Sequence, residues 1–262
     1  MTGFGIYLHV PFCTTRCDYC AFATWTDRHH LIDDYLAACR AQAEAVADEL
    51  PPVTSVFVGG GTPNLVPVDA LMDVFEPLGI VAGSEFTVEC NPDLVTVDQM
   101  AGYAARGVTR ISLGVQSMVP SVLQTLGRHH DPGNVRTAVQ AVRGAGIERL
   151  SLDLIYGAVG ESVGDWAASV EGALALGPDH ISAYALTVEP GTPLADDPAR
   201  HPDDDVQADK YIVADDLLTG AGFANYEISN WARPGEECRH NLLYWRQGEY
   251  LGLGVAAHSH VA

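Results

Sequence analysis

The sequence predicts an α/β fold built on a parallel sheet, and two patterns carry that expectation. Short apolar runs alternate with longer stretches whose apolar residues recur at three-to-four spacing, and the alternation repeats six times. Each apolar run ends at or near a polar residue or glycine, as in parallel β/α sheets that build their sites at the carboxyl ends of the strands. No internal repeat, low-complexity tract or Pro/Ser-rich linker divides the 262 residues, so one large domain is expected.

The first apolar run ends in Tyr7-Leu8-His9-Val10 and leads directly into Pro11-Phe12-Cys13-Thr14-Thr15-Arg16-Cys17-Asp18-Tyr19-Cys20. Asp33 to Leu50 reads as a helix, with Leu36, Cys39, Ala43 and Val46 on one face and Pro51-Pro52 as its stop. Ser55 to Val58 is a short strand ending in Gly59-Gly60-Gly61-Thr62-Pro63, where free backbone amides are expected to meet a carboxylate or an amino-acid backbone. Glu85 to Val88 is the next strand, ending in Glu89-Cys90-Asn91-Pro92, and a helix follows from about Thr96 to Arg106. Arg110 to Val115 is a strand ending in Gln116-Ser117, and two helical stretches flank Gly127-Arg128-His129-His130. Arg149 to Leu154 is a strand carrying Asp153, followed by a helix from about Val163 to Leu176. His180 to Thr187 is the sixth strand and contains Tyr184 and Ala185. The character then changes: Asp205 to Thr219 reads as a helix with an acidic outer face and Phe223 to Ile228 as a strand. Residues 1–200 are accordingly read as the core and 201–262 as a C-terminal extension.

Cys13, Cys17 and Cys20 are the chemical centre of the chain. Their C-x3-C-x2-C spacing lets three thiolates converge on one face of an iron–sulfur cube, leaving one of its irons open. A structural zinc site would need a fourth ligand, for which His9 is the candidate. Inert buried thiols fit poorly beside Thr14, Thr15, Arg16 and Asp18. Of the other cysteines, Cys39 belongs to a helix core, while Cys90 and Cys238 stand next to polar residues and stay open.

Composition narrows the partners. A net charge of −20, with 14 Lys and Arg against 34 Asp and Glu, opposes a nucleic-acid groove, which needs clustered cations. Acidic runs such as Asp203 to Asp205 read as solvated surface. The N-terminus lacks a basic, apolar secretory leader, and no stretch approaches ~18 uninterrupted apolar residues, so a cytoplasmic location is expected.

Four polar groups stand out: Glu89, Gln116, Arg128 and Asp153. Glu89 closes an apolar strand and is costly to bury without a partner. Arg128 could meet a carboxylate in bidentate fashion. Asp153 sits between Leu152 and Leu154 and would reach a hydroxyl or amine. The competing structural reading is an internal Glu–Arg–Asp network that holds the top of the sheet together. Near the C-terminus, Cys238-Arg239-His240-Asn241-Leu242-Leu243-Tyr244-Trp245 gathers one histidine, a residue type that ligates heme iron, with flat aromatics that pack on porphyrins.

Together, Y-L-H-V-P-F-C-T-T-R-C-D-Y-C, G-G-G-T-P, E-C-N-P, S-L-G-V-Q-S, L-G-R-H-H, D-L-I-Y-G, Y-E-I-S-N-W-A and H-N-L-L-Y-W resemble the coproporphyrinogen oxidase-like branch of the radical S-adenosylmethionine (SAM) superfamily. The resemblance implies a partial, open (β/α)6 TIM-like barrel and a 4Fe-4S cluster on Cys13, Cys17 and Cys20. It also implies SAM chelating the open iron and a 5'-deoxyadenosyl radical as the product of its reductive cleavage. Position by position, Tyr7, Tyr19, Gly60, Gly61, Thr62, Glu89, Gln116, Arg128, Asp153 and Ala185 match SAM-contact positions.

Within the branch, two families compete: HemW-type heme chaperones, which deliver heme to acceptor proteins, and oxygen-independent coproporphyrinogen III dehydrogenases, which convert propionates to vinyl groups. Three features favour the chaperones. Phe22 stands where dehydrogenases usually carry a further cysteine, only twelve residues precede Cys13, and H-N-L-L-Y-W resembles a segment linked to heme, which makes His240 the heme-ligand candidate. The resemblance also implies an electron donor such as a flavodoxin or a reductase, and leaves open peripheral membrane association and a homodimer. Family members usually continue past G-L-G-V-A-A-H-S-H-V into a smaller domain, whereas this sequence ends at Ala262, as a fragment or a short form.

Overall fold

The computed structural model describes residues 3–128 and 130–261. His129, quoted above with Arg128, lies outside the described residues. In chain order the elements are β1 (Phe4–Val10), α1 (Ile32–Val46), β2 (Val53–Gly60), α2 (Val68–Asp73), β3 (Ile80–Cys90) and α3 (Val97–Ala105). There follow β4 (Arg110–Gln116), α4 (Pro120–Thr125), α5 (Pro132–Gly144), β5 (Arg149–Tyr156), α6 (Val163–Leu174) and β6 (His180–Ala185). The chain closes with α7 (Asp204–Gly220), β7 (Ala224–Asn225), β8 (Asn230–Ala232), α8 (Arg239–Trp245) and β9 (Glu249–Leu253).

Local chemistry sets the helix starts. Thr96, Asp131 and Asp203 each accept a backbone N–H at a helix N-terminus, and Ser162 with Asp165 forms a reciprocal capping box. Pro120 and Pro132 open α4 and α5, where a missing N–H costs nothing.

The strands form one nine-stranded sheet in the order β7-β8-β6-β5-β4-β3-β2-β1-β9. The six expected strands pair in sequence order, all parallel. Alternation then divides each of these strands into two faces. On β4, Ile111, Leu113 and Val115 are fully buried in the apolar core, while Arg110, Ser112, Gly114 and Gln116 line a cavity on the other side. On β5, Leu150, Leu152 and Leu154 face the core, and Ser151, Asp153 and Ile155 face the cavity. Residues from all six strands line that one cavity, so the sheet curls around it as a partial barrel.

Three differences from the expected elements share one cause. The strand expected over Phe223–Ile228 shrinks to Ala224–Asn225, because only those residues find a partner, in β8. β8 itself runs antiparallel to β6, and β9 runs parallel to β1 at the opposite edge; neither was expected. Both are short and take their strand character from long-range pairing. The segment after residue 200 thus adds strands at both edges of the sheet. Inside it, the buried Lys210 Nζ donates to Glu161 Oε2 at 2.7 Å and to the Glu161 carbonyl at 2.8 Å, fastening α7 to the turn between β5 and α6.

Candidate functional site

The cysteine loop leaves β1 at Val10 and is held along its length by the backbone and by side chains outside it. Cys13 N donates to the Trp25 carbonyl and Trp25 N to the Pro11 carbonyl. His29 Nε2 lies 2.8 Å from the Cys13 carbonyl and His9 Nε2 lies 2.9 Å from the Ala23 carbonyl. Leu194 N donates to the Asp18 carbonyl, and Arg200 pairs with the Asp18 carboxylate at 2.7 Å. Cys13, Cys17 and Cys20 are all free and half-buried.

These thiols border a cavity of about 410 Å³. Burial pushes the Cys13 thiol up, and the Thr62 hydroxyl, 3.5 Å from its sulfur, pulls the other way. Burial also raises Cys20. Arg128 Nη1 stands 3.6 Å from Cys17 Sγ, so a cation faces this sulfur.

The glycine triplet serves a different purpose from the one expected. Gly61 N donates to the Val10 carbonyl, Thr62 N to the Phe12 carbonyl and Gly60 N to Glu89 Oε2, so these amides extend the β1–β2 ladder or hold a carboxylate of the chain. What glycine supplies is close approach. A Cβ on Gly61 would stand 2.7 Å from the Phe12 oxygen and 3.0 Å from Cys13 Sγ, and one on Gly60, at φ +106°, would meet the His9 ring at 2.6 Å. Larger residues would push β2 away from the cysteine loop.

Glu89 projects into the cavity with a pKa raised from its ordinary 4.5 to about 8, by burial first and by Asp153 second, against the Gly60 N–H. Asp153 accepts from Ser112 Oγ at 2.8 Å and Ser182 Oγ at 2.7 Å; burial raises it and the serines oppose the rise. Arg128 donates to the Gly114 carbonyl and to His130 Nδ1, each at 3.0 Å. No Glu–Arg–Asp ion-pair network joins Glu89, Arg128 and Asp153 among the described residues; each faces the cavity with local partners. Gln116 ends β4 at φ 62°, in the left-handed region where a non-glycine residue is strained.

Tyr7, Tyr19, Gly60, Gly61, Thr62, Glu89, Gln116, Arg128 and Asp153 all border the same cavity. Ala185 is exposed at the end of β6, and its neighbour Tyr184 borders the cavity instead. His240 also borders it, on α8, but is 1% exposed. Its Nδ1 lies 3.0 Å from Ser55 Oγ and its Nε2 2.8 Å from the Tyr244 hydroxyl, and burial lowers its pKa to about 3.

Sequence reasoning missed the polar lining of the strands: Arg110, Ser112, Ser151, His180 and Ser182. The signal was present in R-I-S-L-G-V-Q, S-L-D and H-I-S, where every second residue of an apolar strand is polar or glycine. His180 Nδ1 lies 2.8 Å from Ser151 Oγ and its Nε2 2.8 Å from the Tyr226 hydroxyl. Cys90 and Cys238 are buried, the latter with its thiol 3.4 Å from Glu85 Oε1.

The residues present fit a cubane cluster better than a single metal ion. No three His, Cys, Asp or Glu side chains converge tightly enough for one ion among the described residues. A cube spreads its thiolates over separate irons, so three free thiols on a pre-shaped loop suit it. His9, the possible fourth zinc ligand, has both ring nitrogens engaged, by Tyr7 and by the Ala23 carbonyl.

Over most of its length the chain is similar to known proteins. Residues 7–172 match the radical SAM superfamily. The chain is 46% identical over 271 residues to the heme chaperone HemW of Mycobacterium tuberculosis, covering 98% of this chain and 70% of that relative. It is 36% identical to HemW of Escherichia coli, again covering 98% and 70%. Among solved structures, coproporphyrinogen III oxidase (HemN) from Escherichia coli superposes with a TM-score of 0.87 at 25% identity, over 99% of this chain and 65% of that one. With three thiols on the loop after β1, a partial barrel behind them and this level of identity, the chain belongs to the radical SAM superfamily and, within it, to the HemW heme-chaperone family.

Proposed function

We propose that this protein is a HemW-type heme chaperone that holds a 4Fe-4S cluster on Cys13, Cys17 and Cys20, takes SAM into the barrel cavity, binds heme and delivers it to acceptor proteins. The observation that carries this reading is the 46% identity to a HemW across 98% of the chain, joined to three free thiols at the edge of the cavity. When bound, the cluster supplies an iron with an open coordination position and an electron for a ligand seated there.

The chain's own residues do the rest. Gly60 and Gly61 keep β2 close to the cysteine loop, and Thr62 hydrogen-bonds the Cys13 sulfur. Glu89 offers a carboxyl that an ammonium or ribose hydroxyl would draw toward ionisation. Asp153 offers an acceptor oriented by two serines, Tyr7 and Tyr19 offer aromatic walls, and Gln116 and Arg128 offer donors; Ala185, exposed at the end of β6, enters the set by resemblance alone.

For heme, our candidate ligand is His240. Its Nδ1 lies against Ser55 Oγ and its Nε2 against the Tyr244 hydroxyl, and a heme iron would need one of these ring nitrogens released from its present partner. Tyr244 is 39% and Trp245 51% exposed, which supports approach of a flat ligand to α8 from solvent. The reading further includes an electron donor such as a flavodoxin or a reductase and a cytoplasmic location, and leaves open a homodimer and peripheral membrane association. No helix among the described residues is long and apolar enough to cross a membrane.

The test is anaerobic reconstitution with iron and sulfide, followed by heme or by coproporphyrinogen III with SAM and reductant in parallel samples. Stable heme uptake without vinyl product is expected, and protoporphyrinogen formation would replace the chaperone with the dehydrogenase. Cys17→Ala is expected to lose the brown absorbance, and His240→Gln to weaken heme binding with its iron–sulfur content intact.

A further inference from the structure

Arg128 carries its charge at the end of a long, flexible side chain, so its aim depends on how the inner part is fixed. The outer nitrogens face Cys17 Sγ at 3.6 Å and the Gly114 carbonyl at 3.0 Å. The inner nitrogen, Nε, donates to His130 Nδ1 at 3.0 Å. This third contact sets the plane of the guanidinium, because Nε and the two outer nitrogens are coplanar.

His130 is built for that task. It is 5% exposed, and burial followed by the Arg128 charge pushes its pKa down to about 4, so the ring is neutral and can accept at Nδ1. The next residue, Asp131, accepts from Gly133 N at 2.7 Å and caps α5, which fixes the imidazole to a helix start. On the other side, Gly127 lies so close to Asp18 that a Cβ there would stand 2.7 Å from its carboxyl carbon. Asp18 in turn is held by Arg200, which also donates to the Thr125 carbonyl at 2.7 Å. The segment carrying Arg128 is therefore braced on both flanks.

We infer that His130 is a positioning residue: it orients the Arg128 guanidinium toward the Cys17 edge of the cavity and so sets how tightly SAM is held there. The inference rests on the proposed reading of Arg128 as a SAM contact. It adds a residue that does not itself border the cavity.

The experiment measures SAM binding by calorimetry to the anaerobically reconstituted protein, with electron paramagnetic resonance of the reduced cluster before and after SAM is added. In His130→Leu the SAM Kd is expected to rise about tenfold, the scale on which partners of ligating groups act, with unchanged iron and sulfide content and a smaller SAM-induced change in the spectrum. His130→Gln, which offers an amide oxygen to Arg128 Nε, is expected to restore most of the affinity. If the Leu variant fails to fold, His130→Ser removes the acceptor with less apolar bulk and is read in the same way. Unchanged affinity on losing the acceptor, or equal losses in the Leu and Gln variants, would overturn the role. Arg128→Met separates the two readings. If it weakens SAM binding while the His130 variants do not, only the positioning role falls. If it too leaves the Kd unchanged, the assignment of Arg128 falls and takes the role of His130 with it.

Discussion

Gln116 shows at the scale of one residue how the site departs from the rest of the fold. Its φ of 62° coincides with a register shift between β4 and β5, at Gly114 and Gln116, just where the strand reaches the cavity. A Cβ on Gly114 would stand 2.9 Å from Gln116 Nε2, so the glycine makes room for the amide to fold back over the strand. Left-handed backbone at a non-glycine residue costs on the order of 1 kcal/mol, and a β-branched residue there costs more. Gln116→Gly is therefore expected to keep the parent stability to within about 1 kcal/mol, strain relief offsetting the added chain entropy. Gln116→Val is expected to lose ~2 kcal/mol or more. Urea unfolding of both variants checks this, and a Val variant as stable as the Gly variant would show that the position is unstrained.

At the scale of elements, one buried ion pair joins the packing and hydrogen bonds that hold α7 to the barrel. Lys210 and Glu161 are 1% and 0% exposed, and Glu161 Oε2 also accepts from Gly157 N at 2.8 Å. Lys210→Met leaves a buried carboxylate with its cation gone and is expected to cost ~3–5 kcal/mol, whereas Lys210→Met with Glu161→Gln recovers part of that loss. Denaturant midpoints of the single and double variants decide it; equal losses would mean that packing alone holds α7. The elements that sequence made legible are those whose signal is local. The cysteine spacing, the apolar runs of β1 to β6 and the capped helices all declare themselves within about a dozen residues. The edges of the sheet do not. β8 and β9 become strands by pairing with β6 and β1, far away in sequence. Likewise H-N-L-L-Y-W gives no sign that His240 is buried against Ser55, 185 residues earlier. The glycine triplet was legible as a special backbone site, but its amides were misassigned, because the ladder they extend belongs to two strands at once.

The whole molecule is expected to respond to pH on two limbs. Burial lowers His130 to about 4 and His180 and His240 to about 3, and lowers His9 as well. Below the ordinary histidine value the unfolded chain takes up protons that the folded one refuses, so their contribution to stability is lost as pH falls from about 6.5 toward 4. Glu89 and Asp153 act in the opposite sense. They hold protons in the folded state that the unfolded chain releases, so stability declines as pH rises through the Glu89 value of about 8. Each net proton is worth on the order of 1.4 kcal/mol per pH unit. Urea midpoints of the cluster-free protein should peak between about pH 6 and 7, and Glu89→Gln should flatten the alkaline limb while leaving the acid limb in place. A monotonic rise from pH 5 to 8 would contradict the balance.

The anchoring of the cysteine loop has its own consequence for the whole molecule. Its thiols are carried by His9, His29, Leu194 and Arg200, none of which needs a metal to make its contact. Where a zinc finger has no fold without its ion, this loop is expected to keep its shape once emptied. Stripping the iron with a chelator should leave the far-ultraviolet circular dichroism unchanged, and cooperative unfolding on chelation would rule that out. An emptied receptacle of this kind can be refilled in place. If the cluster sits on this loop as proposed, its loss is expected to be made good by iron and sulfide alone, without making or refolding a chain.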